Sequence, residues 1–167
     1  MDTAEFLQRR VDGETDFRGI ELAEASLTGL DLRGCRLDGA VLARLDLRGA
    51  NLTRANLTGA RFVDVNLRGS HLFAVNLTRV VCERVELSGV NLHTANLQSA
   101  RLVGIDLRCA QLLQADLRNA DLQRANLRGA NLTLADLRGA RIAGADFTEV
   151  IFDRTDLRGT IPPHTPR

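Results

Sequence analysis

Apolar residues recur along this chain with a period of five. From Phe17 to Leu157 every fifth residue is bulky or apolar, and 23 of these 29 positions are leucine. Two residues before each stands a smaller residue, which is alanine at 15 positions and valine at six. The apolar spacing therefore alternates between two and three residues, and the register never slips.

This spacing excludes the two common regular structures. An α-helix turns about 100° per residue, so leucines five apart would spread around its whole circumference. A flat strand repeats every two residues, so an odd period would place alternate leucines on opposite faces. A spacing of two fits a short extended segment, and a spacing of three requires a bend. The pattern predicts a chain that coils around its own apolar side chains.

Between the two apolar columns lies Asp or Asn in 17 of the 29 units, as in "ANLTR", "ADLRN" and "ADLRG". These units resemble the A(D/N)LXX consensus of the pentapeptide-repeat protein family. The resemblance implies an all-β, right-handed quadrilateral β-helix with one pentapeptide per side and about seven coils. It predicts a capping segment at 1–14, a repeat domain at 15–159 and a short tail at 160–167.

Glycine positions suggest two kinds of corner. Counting every second unit from the one that ends at Gly19 to the one that ends at Gly159, ten units have glycine as their last residue. The intervening units end in glycine only at 34, 104 and 144. Because glycine tolerates positive φ, we expect type II-like corners at the first set and a different turn at the second.

The two ends of the repeat differ. Asp2 and Glu5 have the spacing of a capping box, and Phe6, Leu7 and Val11 could form the apolar side of a short helix. Such a helix would cover the first coil, whose backbone and core would otherwise be open.

No comparable cap is predicted at the other end, where Phe147, Ile151 and Phe152 crowd the last coil. Pentapeptide-repeat proteins with exposed last coils pair end to end. The resemblance therefore implies a homodimer through the C-terminal coils.

Charge and composition exclude several partners and locations. The chain has 22 basic residues, all arginine, against 21 acidic ones, and this balance argues against a nucleic acid or an anionic membrane as partner. No apolar run is long enough to span a bilayer, and the amino terminus lacks the apolar core of a signal peptide. Three widely spaced cysteines are interpreted as reduced thiols, so we expect a cytoplasmic protein.

Groups that could carry chemistry are few. The three histidines have no nearby cysteine or carboxylate that would complete a metal site, and no cofactor, metal or catalytic residue is predicted. Cys35 and Cys82 occupy inward columns and are expected in the core. Cys109 replaces a corner residue and should face outward, where it could be reactive or inert. We therefore expect no enzyme.

One side of the predicted coil departs from the consensus. Apolar or aromatic residues stand there at positions that are normally polar, together with two histidines: Phe73, Leu113, Leu134, Ile151, His71 and His93. An exposed apolar patch is typical of a contact surface. Polar neighbours interrupt this one, so a merely tolerated surface fits the pattern equally well.

The sequence predicts a non-catalytic protein-interaction or scaffold solenoid whose protein partner is unknown. An alternative follows from the resemblance, since several family members bind type II topoisomerases such as DNA gyrase by mimicking duplex DNA. Mimicry needs uncompensated negative charge. The arginines of this chain offset most of its carboxylates, which weakens that alternative.

Overall fold

The computed structural model describes residues 1–160, and its backbone coils with a period of 20 residues. Parallel bridges join each side to the residues 20 positions later, from Asp16 and Arg36 at one end to Asp136 and Asp156 at the other. Four pentapeptides thus complete one turn, and the protein is a right-handed quadrilateral β-helix. We number its sides one to four by the inward residues Phe17, Leu22, Leu27 and Leu32 and every twentieth residue after each.

The longest extended segments lie on side two. They are β1 (Glu21–Ser26), β2 (Val41–Asp46), β3 (Arg61–Val63) and β4 (Val81–Glu83). Together they form one parallel sheet in the order β1-β2-β3-β4, in which Val41 pairs with both Glu21 and Arg61. The other sides pair mostly through single-residue bridges, so the pleat is interrupted at nearly every corner.

Both predicted inward columns form the core. From Leu32 to Ala140 every residue of the two columns is at most 6% exposed. Cys35 and Cys82 lie in these columns, as the sequence predicts. Ser70 is the one polar member, and its hydroxyl donates to the carbonyl of Leu67 over 2.6 Å. Stacked leucines and alanines therefore form one continuous apolar core along the coil.

A short helix, α1 (Thr3–Val11), covers the first coil. The side chain of Asp2 accepts a hydrogen bond from the Glu5 backbone N–H over 2.8 Å, which confirms the predicted N-cap. Phe6 is 1% exposed, and its ring lies 4.7 Å from that of Phe17 in an edge-on arrangement. Val11 is 80% exposed, so its predicted place on the apolar side is wrong. Five residues after Phe6, it lies about 140° around the helix.

Every corner has a positive φ at the same position of its unit. Each fifth residue from Gly19 to Gly159 has a φ between 52° and 71°, and 16 of these residues are not glycine. The predicted contrast between glycine-rich and glycine-poor corners is therefore absent from φ. Hydrogen bonding does not restore the contrast: in the described chain the corners after Phe62 and Cys82 lack the N–H to carbonyl bond that closes most others, and so does the glycine corner after Leu87. Closure of the square imposes the positive φ whichever residue is present.

The predicted division at residues 14 and 159 stays a prediction. Parallel pairing begins at Thr15 and Asp16, close to the first of these boundaries. The predicted tail, 160–167, lies outside the described residues except for its first member.

Substitutions at two corners test this conformational cost. Gly59 has a φ of 66° and nothing within 4 Å of an added Cβ, so Gly59→Ala should lower the free energy of unfolding by about 1–2 kcal/mol through backbone strain alone. Arg54 has a φ of 57°, and Arg54→Gly should raise that free energy by up to about 1 kcal/mol. Urea unfolding followed by circular dichroism measures both. Equal destabilisation by the two changes would contradict this account.

Candidate functional site

Side four is set apart by its lack of charge. Its units 70–74, 90–94, 110–114 and 130–134 contain no Asp, Glu, Lys or Arg, although such residues make up 26% of the chain. We call these four units the uncharged face. Charges return on the same side in the neighbouring coils, with Arg54 before it and Asp153 and Arg154 after it. Four successive coils thus present a neutral surface between charged borders.

Two columns of side chains run along the uncharged face. In the first, His71 bridges to Asn91, which bridges to Gln111, and the column ends in Asn131 and Ile151. The second column lies two residues further along each unit and consists of Phe73, His93, Leu113 and Thr133. The structure thus places all six residues of the predicted surface on one side. Ile151 lies one coil beyond the uncharged face, next to Asp153.

Contacts between coils order part of this surface. The rings of Phe73 and His93 meet edge to face, with centroids 5.4 Å apart and an interplanar angle of 88°. Nε2 of His93 donates to Oε1 of Gln114 over 3.2 Å. Gln114 is one of the polar neighbours that interrupt the apolar patch in the sequence, and in the structure it is the third member of a strip that crosses three coils. The strip holds Phe73 and His93 half-buried.

The apolar members of the surface are exposed to different extents. Leu113 is half-buried, whereas Leu134 is 39% and Ile151 is 52% exposed. Leu134 stands at a corner with a φ of 60°, where a branched apolar side chain costs backbone strain. Nothing in the packing of the coil requires leucine there.

Side one shows the contrasting arrangement, in which charges are paired. Arg138 donates from Nε and Nη2 to Asp136, and Arg158 donates in the same way to Asp156. Arg118 and Arg138 also reach the carboxylates of the next coil, at 3.7 Å from Asp136 and 3.6 Å from Asp156. Hydrogen bonds from Arg158 hold the pKa of Asp156 at about 2. These carboxylates are compensated, so they do not form a negative stripe.

The cysteines differ in their surroundings as predicted. Burial raises the pKa of the Cys82 thiol to about 12, and burial also raises the pKa of Cys35. Cys109 is exposed at a corner with a φ of 56°. Thiolate chemistry in the folded protein is therefore restricted to Cys109.

Thiol labelling in the folded and unfolded protein tests this difference. A disulfide reagent such as DTNB should modify one thiol per folded chain and all three in urea, because only the Cys109 sulfur reaches solvent. Cys109→Ser should abolish labelling of the folded protein. Rapid modification of a second thiol without urea would show that the core opens.

Residues 1–160 contain neither a candidate metal site nor a helix that could span a membrane. No group of three or more His, Cys, Asp or Glu in this range is placed to hold a metal ion. Across the same residues no helix has the length and apolarity needed to cross a membrane.

Comparison with known proteins identifies the repeat. The model of pentapeptide repeats matches eight copies over residues 13–39, 35–73, 76–110, 95–133 and 135–161. This chain belongs to the pentapeptide-repeat family. A search of curated proteins with the sequence finds no match.

Solved structures agree with the pentapeptide-repeat fold. Two trypsin-treated variants of QnrB1, a plasmid-mediated fluoroquinolone resistance protein, superpose with TM-scores of 0.69 and 0.62 at 16% and 17% identity. Each superposition covers 90% of this chain and 86% of the other. HetL, a pentapeptide-repeat protein involved in heterocyst differentiation regulation in Nostoc sp. strain PCC 7120, is 25% identical over 99% of both chains with a TM-score of 0.33. At these identities the QnrB1 structures show the shared fold alone.

Sequence reasoning located the six surface residues but missed the property that unites their surroundings. The lack of charge at 70–74, 90–94, 110–114 and 130–134 is visible only when the sequence is sorted with a period of 20. Read with a period of five, these units alternate with charged ones and the pattern disappears. The period of 20 places Phe73 and His93 on adjacent coils, but their edge-to-face contact has no signal in the sequence, since it depends on side-chain torsions.

Proposed function

We propose that this pentapeptide-repeat protein is a non-catalytic binding scaffold and that the uncharged face contacts its protein partner. The observation that carries the proposal is the run of four stacked units, one on each of four successive coils, without a formal charge in a chain that is 26% charged. The centres of protein interfaces are depleted of charged residues, because burying an unpaired charge costs several kcal/mol. The uncharged face can be covered without that cost.

The side chains on this face are suited to such a contact. Phe73, His93 and Gln114 are already ordered by contacts with one another, so covering them loses less side-chain entropy than covering free side chains. Leu113 and Leu134 supply apolar area, and Leu134 does so at a strained corner. Parallel pairing between coils holds the columns in a flat, rigid array.

The size of the uncharged face limits its role. Four strands spaced by about 4.8 Å and one pentapeptide wide present roughly 200 Å² in plane, whereas a standard interface buries about 800 Å² on each partner. The uncharged face is thus large enough for the centre of an interface. A partner would also cover the charged borders near Arg54 and Arg154, which would form a polar rim.

Binding to a type II topoisomerase through DNA mimicry is the second candidate function. The family resemblance and the QnrB1-like fold favour it, but the paired carboxylates of side one do not, because mimicry requires exposed negative charge. We therefore place it behind the scaffold function.

Affinity capture with matched variants tests the proposed surface. Leu113→Asp introduces a charge into the uncharged face and should weaken capture of a partner from host extract by at least about tenfold. Val103→Asp is the control. Val103 also directly follows the inward residue of its unit, but it lies on side two, which is opposite side four. Circular dichroism checks that both variants fold. Equal capture by wild type and both variants would contradict the proposal.

A DNA supercoiling assay with gyrase separates the second candidate. The scaffold function predicts no inhibition at micromolar concentrations of the protein. Inhibition that Leu113→Asp leaves intact would instead support DNA mimicry.

We also propose that two copies pair end to end through the last coil. Phe152 and Leu157 of that coil occupy inward columns but are 38% and 39% exposed, whereas their equivalents two coils earlier, Leu112 and Leu117, are fully buried. The rings of Phe147 and Phe152 lie 5.6 Å apart and form an apolar floor. A second last coil would cover this apolar end and extend the stack.

Light scattering coupled to size exclusion measures this association. Wild type and Val103→Asp should have twice the mass of one chain, and Phe152→Asp should have the mass of one chain, because a charge would enter the apolar end. A monomeric wild type at micromolar concentration would contradict pairing. That result would leave the prediction for Leu113→Asp unaffected.

A further inference from the structure

A second surface feature lies on side three. The residue that follows the inward leucine on this side is arginine in four coils, and a serine interrupts the run, as in Arg48, Arg68, Ser88, Arg108 and Arg128. Because the side chain of Ser88 is short, Arg68 and Arg108 of the two adjacent coils border an open groove. The groove is lined by Arg48, Arg68, Gly69, Ser88, Gly89, Arg108 and Cys109. We call it the arginine groove.

The coil sets the spacing of the groove. The N–H of Gly69 donates to the carbonyl of Ser88, and the N–H of Gly89 donates to the carbonyl of Arg108. Arg68, Ser88 and Arg108 therefore belong to adjacent coils, and the two arginines leave the backbone about 10 Å apart, twice the strand spacing. Two long basic side chains thus flank a short hydroxyl side chain.

The hydrogen-bonding capacity of these arginines is only partly used. Arg48 donates Nε and Nη2 to Asp46, and Arg108 donates the same two atoms to Asp106. Within residues 1–160 the Nη1 atoms of both remain without an acceptor, and the guanidinium of Arg68 makes no hydrogen bond or ion pair.

A single difference in sequence explains the free guanidinium of Arg68. Its unit carries Asn66 where the units of Arg48 and Arg108 carry aspartate. The side-chain oxygen of Asn66 accepts from the backbone N–H of Arg68 over 3.1 Å, as the aspartates do in their own units. A neutral amide keeps this turn but does not compensate the arginine charge.

We propose that the arginine groove binds a phosphate-type oxyanion between Arg68 and Arg108, above Ser88. A guanidinium presents two parallel N–H donors that match two oxygens of a phosphoryl group. Arg68 supplies such a pair, Arg108 and Arg48 supply Nη1 donors, and the Ser88 hydroxyl supplies one more. This anion site lies on a different side from the uncharged face and does not depend on the scaffold function.

Nearby carboxylates limit the affinity of this anion site. Asp46 and Asp106 are engaged by their own arginines, so they add little repulsion. Glu86 belongs to the unit of Ser88 and forms no ion pair among the described residues. It lines a neighbouring depression with Arg84 and Asp64 instead of the arginine groove. Its charge lies close enough to oppose an anion, so removing it should strengthen binding.

Titration of the full chain with inorganic phosphate tests the proposal. At constant ionic strength, the amide signals of Gly69, Ser88 and Gly89 in ¹⁵N correlation spectra should shift and saturate. Arg68→Gln should weaken the affinity about tenfold through loss of a bidentate contact. Glu86→Gln should strengthen it about two- to threefold through loss of a repulsion across several ångströms of solvent.

Controls separate this site from general attraction of anions. Arg79→Gln removes an exposed arginine that also has no ion pair among the described residues but lies on side one, and it should leave the affinity unchanged. Chloride at equal ionic strength should not reproduce the shifts. Shifts that fail to saturate, or an affinity that Arg68→Gln leaves unchanged, would overturn the proposal.

O-phosphoserine provides a second probe, because a phosphoryl group could come from a free anion or from a phosphorylated side chain. Equal affinities for phosphate and O-phosphoserine would assign the site to the free anion. Tighter binding of O-phosphoserine would assign it to a phosphomonoester. Saturable binding of neither probe would overturn the anion site.

Discussion

Closure of the coil around stacked leucines is the constraint on which the rest of the structure depends. The chain must turn at every fifth residue to bring the next leucine inward, and it does so with a φ between 52° and 71° at each corner from Gly19 to Gly159. The 16 corners without glycine are strained, so the packing of the core must offset that cost. Parallel pairing with the next coil then aligns side chains into columns.

This constraint separates stability from recognition. The inward columns hold the fold and are at most 6% exposed between Leu32 and Ala140, while outward residues vary with little effect on packing. Outward residues that recur every 20 positions can therefore form a binding surface without changing the core. The uncharged face and the arginine groove are the two surfaces proposed to act in this way, and they meet at the corners of Gly69, Gly89 and Cys109. A partner that covers the uncharged face would approach the arginine groove at its rim.

At the two ends of the coil, the outermost inward residues lack a further coil to cover them. Phe6 of α1 fills the first coil against Phe17, so the open edge there is covered by a part of the same chain. At the last coil, Phe152 and Leu157 occupy inward columns but remain more than a third exposed. The same column position thus has opposite burial at the two ends, because burial depends on a following coil and not on the residue.

The sequence by itself determined the repeat, the inward columns and the burial of Cys35 and Cys82, because each follows from the five-residue period, and it determined the N-cap at Asp2 from the local spacing to Glu5. It also located Phe73, Leu113 and His93 on one side, since a four-sided coil assigns sides by arithmetic. Only the tertiary structure decided that glycine-poor corners share the φ of glycine corners and that His93 joins Phe73 to Gln114. It also decided that, among the described residues, no carboxylate of a neighbouring coil pairs with the guanidinium of Arg68 in place of the aspartate that its own unit lacks. These features arise between residues about 20 positions apart, where contacts depend on how coils stack and on which side-chain torsions that stacking permits.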